Sequence, residues 1–111
     1  MDASIEVSAQ QTAELLAGGA TVVDVRESYE RDAGHIDGTR HIELTHLSAQ
    51  APTIDPALTV VFYCRVGARS AMAAQAFRAS GYDAYSLAGG LLAWTGAGLP
   101  LVPEGGRVAD H

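Results

Sequence analysis

Five short runs of strand-forming residues alternate with helix-forming stretches along 111 residues, and this alternation constrains the fold more than any other feature. The predicted strands are Ile5-Glu6-Val7, Thr21 to Val25, Thr39 to Ile42, Thr59 to Tyr63 and Ala84 to Leu87. Ser8 is the predicted N-cap of a helix from Ala9 to Ala17, with Gln11 three residues on and Gly18-Gly19 at its end. A charged segment, Arg26 to Asp32, reads as a loop with room for one helical turn, and a weak helix is predicted over Glu43 to Gln50, closed by Pro52 and Pro56. A longer helix follows from Ser70 to Ser80, capped by Gly81, and a last one, Leu91 to Trp94, opens at Gly89-Gly90. Strands and helices in strict alternation predict an α/β domain with a mainly parallel sheet and helices on both faces.

The length allows one domain, expected over residues 1–101, and no internal repeat is visible. Residues 102–111, with Pro103, Gly105, Gly106 and no periodicity, read as a flexible tail. The first residues, Met1 to Glu6, lack the basic-then-apolar pattern of a secretion signal, and no stretch approaches the roughly 20 apolar residues that cross a bilayer. The expected location is the cytoplasm. Thirteen acidic residues against seven arginines give a net charge of -6, which argues against non-specific binding to nucleic acid or anionic membranes.

Cys64 is the single cysteine, so no internal disulfide is available. It stands where the strand Thr59 to Tyr63 gives way to the loop Cys64-Arg65-Val66-Gly67-Ala68-Arg69, and such sheets gather their sites at the carboxyl ends of strands. A buried structural thiol is one reading. Reactivity is favoured by the setting, because positive charge and the free N–H groups of a helix start both stabilise a thiolate. Gly67 lets the loop curl so that successive amides point inward, Arg65 and Arg69 form a local cationic patch, and Ser70 caps the helix or donates to the pocket. The alanines of that helix, Ala71, Ala73, Ala74, Ala76 and Ala79, permit close approach to the sheet or simply suit a helix.

With its flanking motifs the chain resembles the rhodanese family, the thiosulfate sulfurtransferase-like proteins, in single-domain form. Asp24-Val25-Arg26-Glu27, Tyr29-Glu30 and Gly34-His35-Ile36-Asp37-Gly38 are similar to the family's opening signature, and Leu87-Ala88-Gly89-Gly90 with Trp94, Gly98 and Pro100 to its closing one. The resemblance runs from Ser8 to about Leu101 and implies a three-layer fold with a five-stranded, mainly parallel sheet. It implies that Cys64 takes sulfur from a small anionic donor such as thiosulfate, holds it as a persulfide, and yields it to cyanide, a thiol or a thiol-bearing protein. Amides from Arg65 through Val66, Gly67, Ala68 and Arg69 to Ser70 would cradle that sulfur, and Arg65 and Arg69 would attract the donor unless ion pairs engage them. Asp24, Arg26 and His35 would brace the structure. No cofactor is implied, and His41, His46 and His111 show no metal-ligand spacing with one another or with Cys64.

Ile42 is followed by Glu43 where members often carry proline, and Val66 stands where some thiosulfate users carry a basic residue. The loop also lacks the Cys-Gly-Ser/Thr-Gly pattern of mercaptopyruvate-using relatives. Two rival readings follow. Cysteine phosphatases of the same fold space five residues between cysteine and arginine, whereas four separate Cys64 from Arg69, and Tyr63 replaces their usual histidine. The other rival is a persulfide carrier or sulfide-sensing module serving one protein partner.

Overall fold

Val60 to Tyr63 are buried on every residue, as a strand must be when both faces of its sheet are covered. The computed structural model describes residues 4–111, so the first three residues of the Met1 to Glu6 segment lie outside the described residues. Its strands β1 (Glu6–Val7), β2 (Thr21–Asp24), β3 (Arg40–His41), β4 (Val60–Tyr63) and β5 (Ala84–Leu87) form one sheet in the order β1-β5-β4-β2-β3. Every pairing is parallel. The predicted strands are all present, β5 over the residues expected and the other four with shorter ends, and bonds such as Val25 N–H to Tyr63 O (3.0 Å) and Ile42 N–H to Asp24 O (3.0 Å) extend the pattern past the ladders.

Helices α1 (Ala9–Ala17), α2 (Ser28–Ala33), α3 (Leu47–Gln50), α4 (Ala68–Ala79) and α5 (Gly90–Gly96) complete the three layers. Side chains alternate across β4. Val60 and Phe62, and beyond the strand Cys64, join Leu47, Ala73, Ala74 and Phe77 on the α3/α4 face. Val61 and Tyr63 join Ala9, Leu91 and Trp94 on the α1/α5 face. Phe77 is held between Phe62 and Tyr82, ring centroids 4.9 and 4.7 Å away. Of the α4 alanines, Ala73 and Ala74 are the buried ones. Ser8 caps α1 with the predicted box: its hydroxyl accepts from Gln11 N–H and the Gln11 side chain accepts from Ser8 N–H.

The structure departs from the sequence expectation in four places. The charged segment after β2 forms a six-residue helix, because Glu27 and Glu30 make a capping box around its start. α4 begins two residues earlier than predicted, since Gly67 adopts φ 110° and turns the chain into the helix at once. The weak helix is short, flanked by 3-10 turns at Leu44–His46 and Ala51–Thr53. Residues 102–111 have little regular structure but lie against the body: His35 and Val102 exchange backbone bonds of 2.9 and 2.8 Å, and Arg107 N–H donates to Ala33 O at 2.8 Å. Among the described residues no helix is long and apolar enough to cross a membrane.

Candidate active site

β4 is flanked by β2 and β5, so the residue after it emerges at the middle of the sheet's carboxyl edge. That residue is Cys64, and it is only 1% exposed. Gly67 N–H donates to its Sγ at 3.1 Å, and Ser70 Oγ lies 3.5 Å away. Burial pushes the thiol up; the Ser70 hydroxyl and the amides of Ser70, Gly67 and Val66 together outweigh it, and the thiol sits below its ordinary range. Of the predicted cradle, then, the Gly67 amide bonds the sulfur and the Ser70 hydroxyl lies beside it. The Val66 side chain itself is half exposed, and Ala68 opens α4 with its methyl in solvent.

The loop is held from beneath by α5. Leu91 N–H donates to Cys64 O at 2.8 Å and Leu92 N–H to Arg65 O at 3.2 Å. Gly90 has φ 60°, and a Cβ there would fall 2.5 Å from Arg65 C and O. The second glycine of the closing motif is thus a backbone-to-backbone contact under the cysteine loop.

Arg69 is the ion pair rather than a free cation. Its Nη1 and Nη2 donate to Oε1 and Oε2 of Glu30 at 2.8 and 2.9 Å, and Glu30 is fully buried. Arg65 faces the exposed Asp110 carboxylate at 3.6 Å. A pocket of about 340 Å³ beside Arg69 is lined by Glu27, Glu43 and His111 as well as Val25, Leu44 and Thr45. The cationic patch expected from Arg65 and Arg69 is therefore partly offset, by Glu30 at Arg69 and by Asp110 near Arg65.

Asp24 and Arg26 form a fully buried pair. Asp24 Oδ1 accepts from Arg26 N–H (3.0 Å) and Nε (2.8 Å), and Oδ2 from Nη2 (2.7 Å). Arg26 continues to Gly34 O at 2.9 Å, so the pair ties β2 to the end of α2. His35 serves that same corner: its backbone pairs with Val102 and its Nδ1 lies 3.2 Å from Arg31 O. Tyr63 lies under Arg26, is bonded to Ile36 N–H and Thr39, and is pushed up to about 12 by burial and by the Asp24 charge.

Two contributors were not singled out from the sequence. Glu30 appeared only within a motif, although its distance of 39 residues from Arg69 hid the pairing. Ser86 is a fully buried serine on β5 whose hydroxyl lies 2.8 Å from Ser70 Oγ; a polar residue inside an apolar strand was the available signal. His111 comes within 4.8 Å of Glu27 and Glu30, a grouping that spacing does not reveal, but both Glu30 oxygens are already given to Arg69.

Known proteins match this arrangement. The family model of the rhodanese-like domain covers residues 8–97. The chain is 34% identical over 96 residues to the thiosulfate sulfurtransferase GlpE of Ectopseudomonas mendocina, a match spanning 79% of this chain and 82% of that protein. It is 40% identical over 78 residues to the uncharacterised protein YqhL of Bacillus subtilis, covering 69% of this chain and 62% of the length of YqhL. The crystal structure of a rhodanese-related protein from Thermoplasma volcanium superposes with a TM-score of 0.81 at 27% identity, over 87% of this chain and 96% of that one. A parallel five-stranded sheet, the cysteine loop at its centre and a family match over most of the length agree: the chain belongs to the rhodanese-like domain family.

Proposed function

We propose that the protein is a sulfurtransferase that moves a sulfane sulfur from a donor such as thiosulfate to a thiophilic acceptor, through a persulfide on Cys64. The observation that carries this is the cradle itself: a buried sulfur that accepts an amide N–H at 3.1 Å and is held below the ordinary thiol range by neutral donors. In the first step the Cys64 thiolate attacks the outer sulfur of the donor. A Cys64–sulfur bond forms, the donor's sulfur–sulfur bond breaks, and its electron pair leaves on the remainder, sulfite when thiosulfate is used. In the second step cyanide or a thiolate attacks the outer sulfur and Cys64 departs as thiolate. A phosphatase reading is disfavoured because four residues rather than five separate Cys64 from Arg69, and two of the five N–H donors of Arg69 are engaged by Glu30. A reactive lone thiol suits a reducing cytoplasm.

The test is intact mass after treatment with thiosulfate and other sulfane donors: Cys64 gains one sulfur atom and Cys64→Ser gains none. No adduct with any donor overturns the proposal. The burial of Cys64 favours one variation, a carrier that passes its persulfide to a docked thiol protein. Steady turnover with thiosulfate and cyanide argues for the enzyme; transfer confined to one protein acceptor argues for the carrier.

A further inference from the structure

Two buried hydroxyls stand in line behind the sulfur. Ser70 Oγ is 3.5 Å from Cys64 Sγ and 3.2 Å from Gly67 O, and Ser86 Oγ is 2.8 Å from Ser70 Oγ. Both serines are fully buried, and among the described residues Ser70 Oγ is the one hydrogen-bond partner of Ser86 Oγ. The protons can be counted. The Ser86 proton has a single acceptor, Ser70 Oγ, and any other direction leaves it buried and unpaired. Ser86 is therefore the donor of the 2.8 Å bond.

That assignment decides what Ser70 does. With one lone pair taken by Ser86, Ser70 Oγ is a poorer acceptor for a thiol proton and a better donor of its own. Its proton has two destinations, Sγ and Gly67 O, and Gly67 O already accepts the Ala71 N–H at 3.0 Å. A developing negative charge on sulfur makes Sγ the stronger acceptor of the two.

We propose that Ser86 is a positioning residue for the Cys64 nucleophile: by donating to Ser70 Oγ it aims the Ser70 proton at Sγ and favours the thiolate over the thiol. The inference rests on Cys64 as the nucleophile of the proposed reaction. Ser86 touches neither donor nor acceptor; it acts through Ser70. The charged groups around the sulfur are Arg65 in the loop, Arg69 on α4 and Glu30 on α2, and none bonds to Ser86, so its substitution leaves them in place.

The experiment is the pH profile of Cys64 alkylation by iodoacetamide, which needs no sulfur transfer and so is independent of the persulfide test. Below the midpoint of the profile, Ser86→Ala is expected to react about threefold more slowly than the parent and Ser70→Ala about tenfold, with the profiles converging at high pH. The double variant Ser70→Ala/Ser86→Ala should match Ser70→Ala, because Ser86 has no other route to sulfur. Should Ser86→Ala fail to fold, Ser86→Thr and Ser86→Val replace it; they have the same shape, and the threonine should react faster below the midpoint. An unchanged profile in Ser86→Ala, an equal slowing on top of Ser70→Ala, or identical threonine and valine variants overturns the proposal.

Discussion

Replacing Gly90 with alanine sets the close approach of α5 against the cysteine loop. The new Cβ would lie 2.5 Å from Arg65 C and O and 2.7 Å from Cys64 O, and these are backbone atoms that cannot rotate aside. Reaching an ordinary 3.4 Å contact needs a displacement of about 0.9 Å. The residue also sits at φ 60°, where a Cβ adds about 1–2 kcal/mol, and overpacking adds about 1–3 kcal/mol. A loss near 3 kcal/mol corresponds to a fall of more than about 10 °C in Tm for a domain of this size. The same displacement opens the 3.1 Å Gly67 N–H to Sγ bond and weakens Leu91 N–H to Cys64 O. Alkylation near neutral pH should then slow by about tenfold, the worth of one hydrogen bond to a charged acceptor. Gly96→Ala at the other end of α5 is the control, for nothing lies within 4 Å of its added Cβ and the change should be neutral or gain up to about 1 kcal/mol. Thermal unfolding and iodoacetamide kinetics measure both. Equal Tm values and equal alkylation rates in the two variants would refute the close-contact reasoning.

Glu30 links stability to acid. Burial raises its carboxyl, the Arg69 guanidinium and the Glu27 N–H lower it, and the net position is below the ordinary 4.5. A folded value below the unfolded one adds stability above pH 4.5 that is lost as pH falls through the folded value. Urea midpoints should therefore drop less steeply on acidification in Glu30→Gln than in the parent, and parallel curves would exclude this role. Arg65 and Asp110 are read by paired probes of different charge. At low salt, Arg65→Ala should lower the rate ratio of iodoacetate to iodoacetamide and Asp110→Ala should raise it, each by about two- to fivefold. Ratios that stay fixed in both variants would show that neither charge reaches the sulfur.

What was legible in the sequence is what short-range pattern encodes. The run Thr59 to Tyr63 is strand-forming throughout, so a strand is the natural reading, and Cys64 at its end is placed on the sheet's carboxyl edge. Ser8 with Gln11, three residues apart, identifies the start of α1 because the box is local. α2 escaped because Ser28-Tyr29-Glu30-Arg31-Asp32-Ala33 carries no apolar stripe; its stability comes from a capping box and from Arg69, on another element. Ser86 reaches Ser70 across 16 residues and Arg65 reaches Asp110 across 45, pairings that the topology creates and no spacing rule anticipates. The tail shows no periodicity because it is held as an irregular segment, by backbone bonds to His35 and Ala33 and by the close approach of Arg107 to Gly34, which leaves no room for a Cβ there.

These long-range pairings change what kind of site the loop is. From the sequence, Arg65 and Arg69 look like the source of the field that holds a thiolate. In the structure each arginine faces a carboxylate, in a protein whose net charge is already -6. What touches the sulfur directly is a set of neutral dipoles: the Gly67 amide and the Ser70 hydroxyl, with the amides of Val66 and Ser70 beside them, fixed by the φ 110° turn at Gly67 and by α5 beneath. Dipoles of this kind act over a few ångströms and are buried from counterions, so they stabilise one anionic sulfur without gathering anions from afar. For the proposed sulfur transfer, a cradle of this kind favours the sulfur atom and is indifferent to the charge of the donor's remainder.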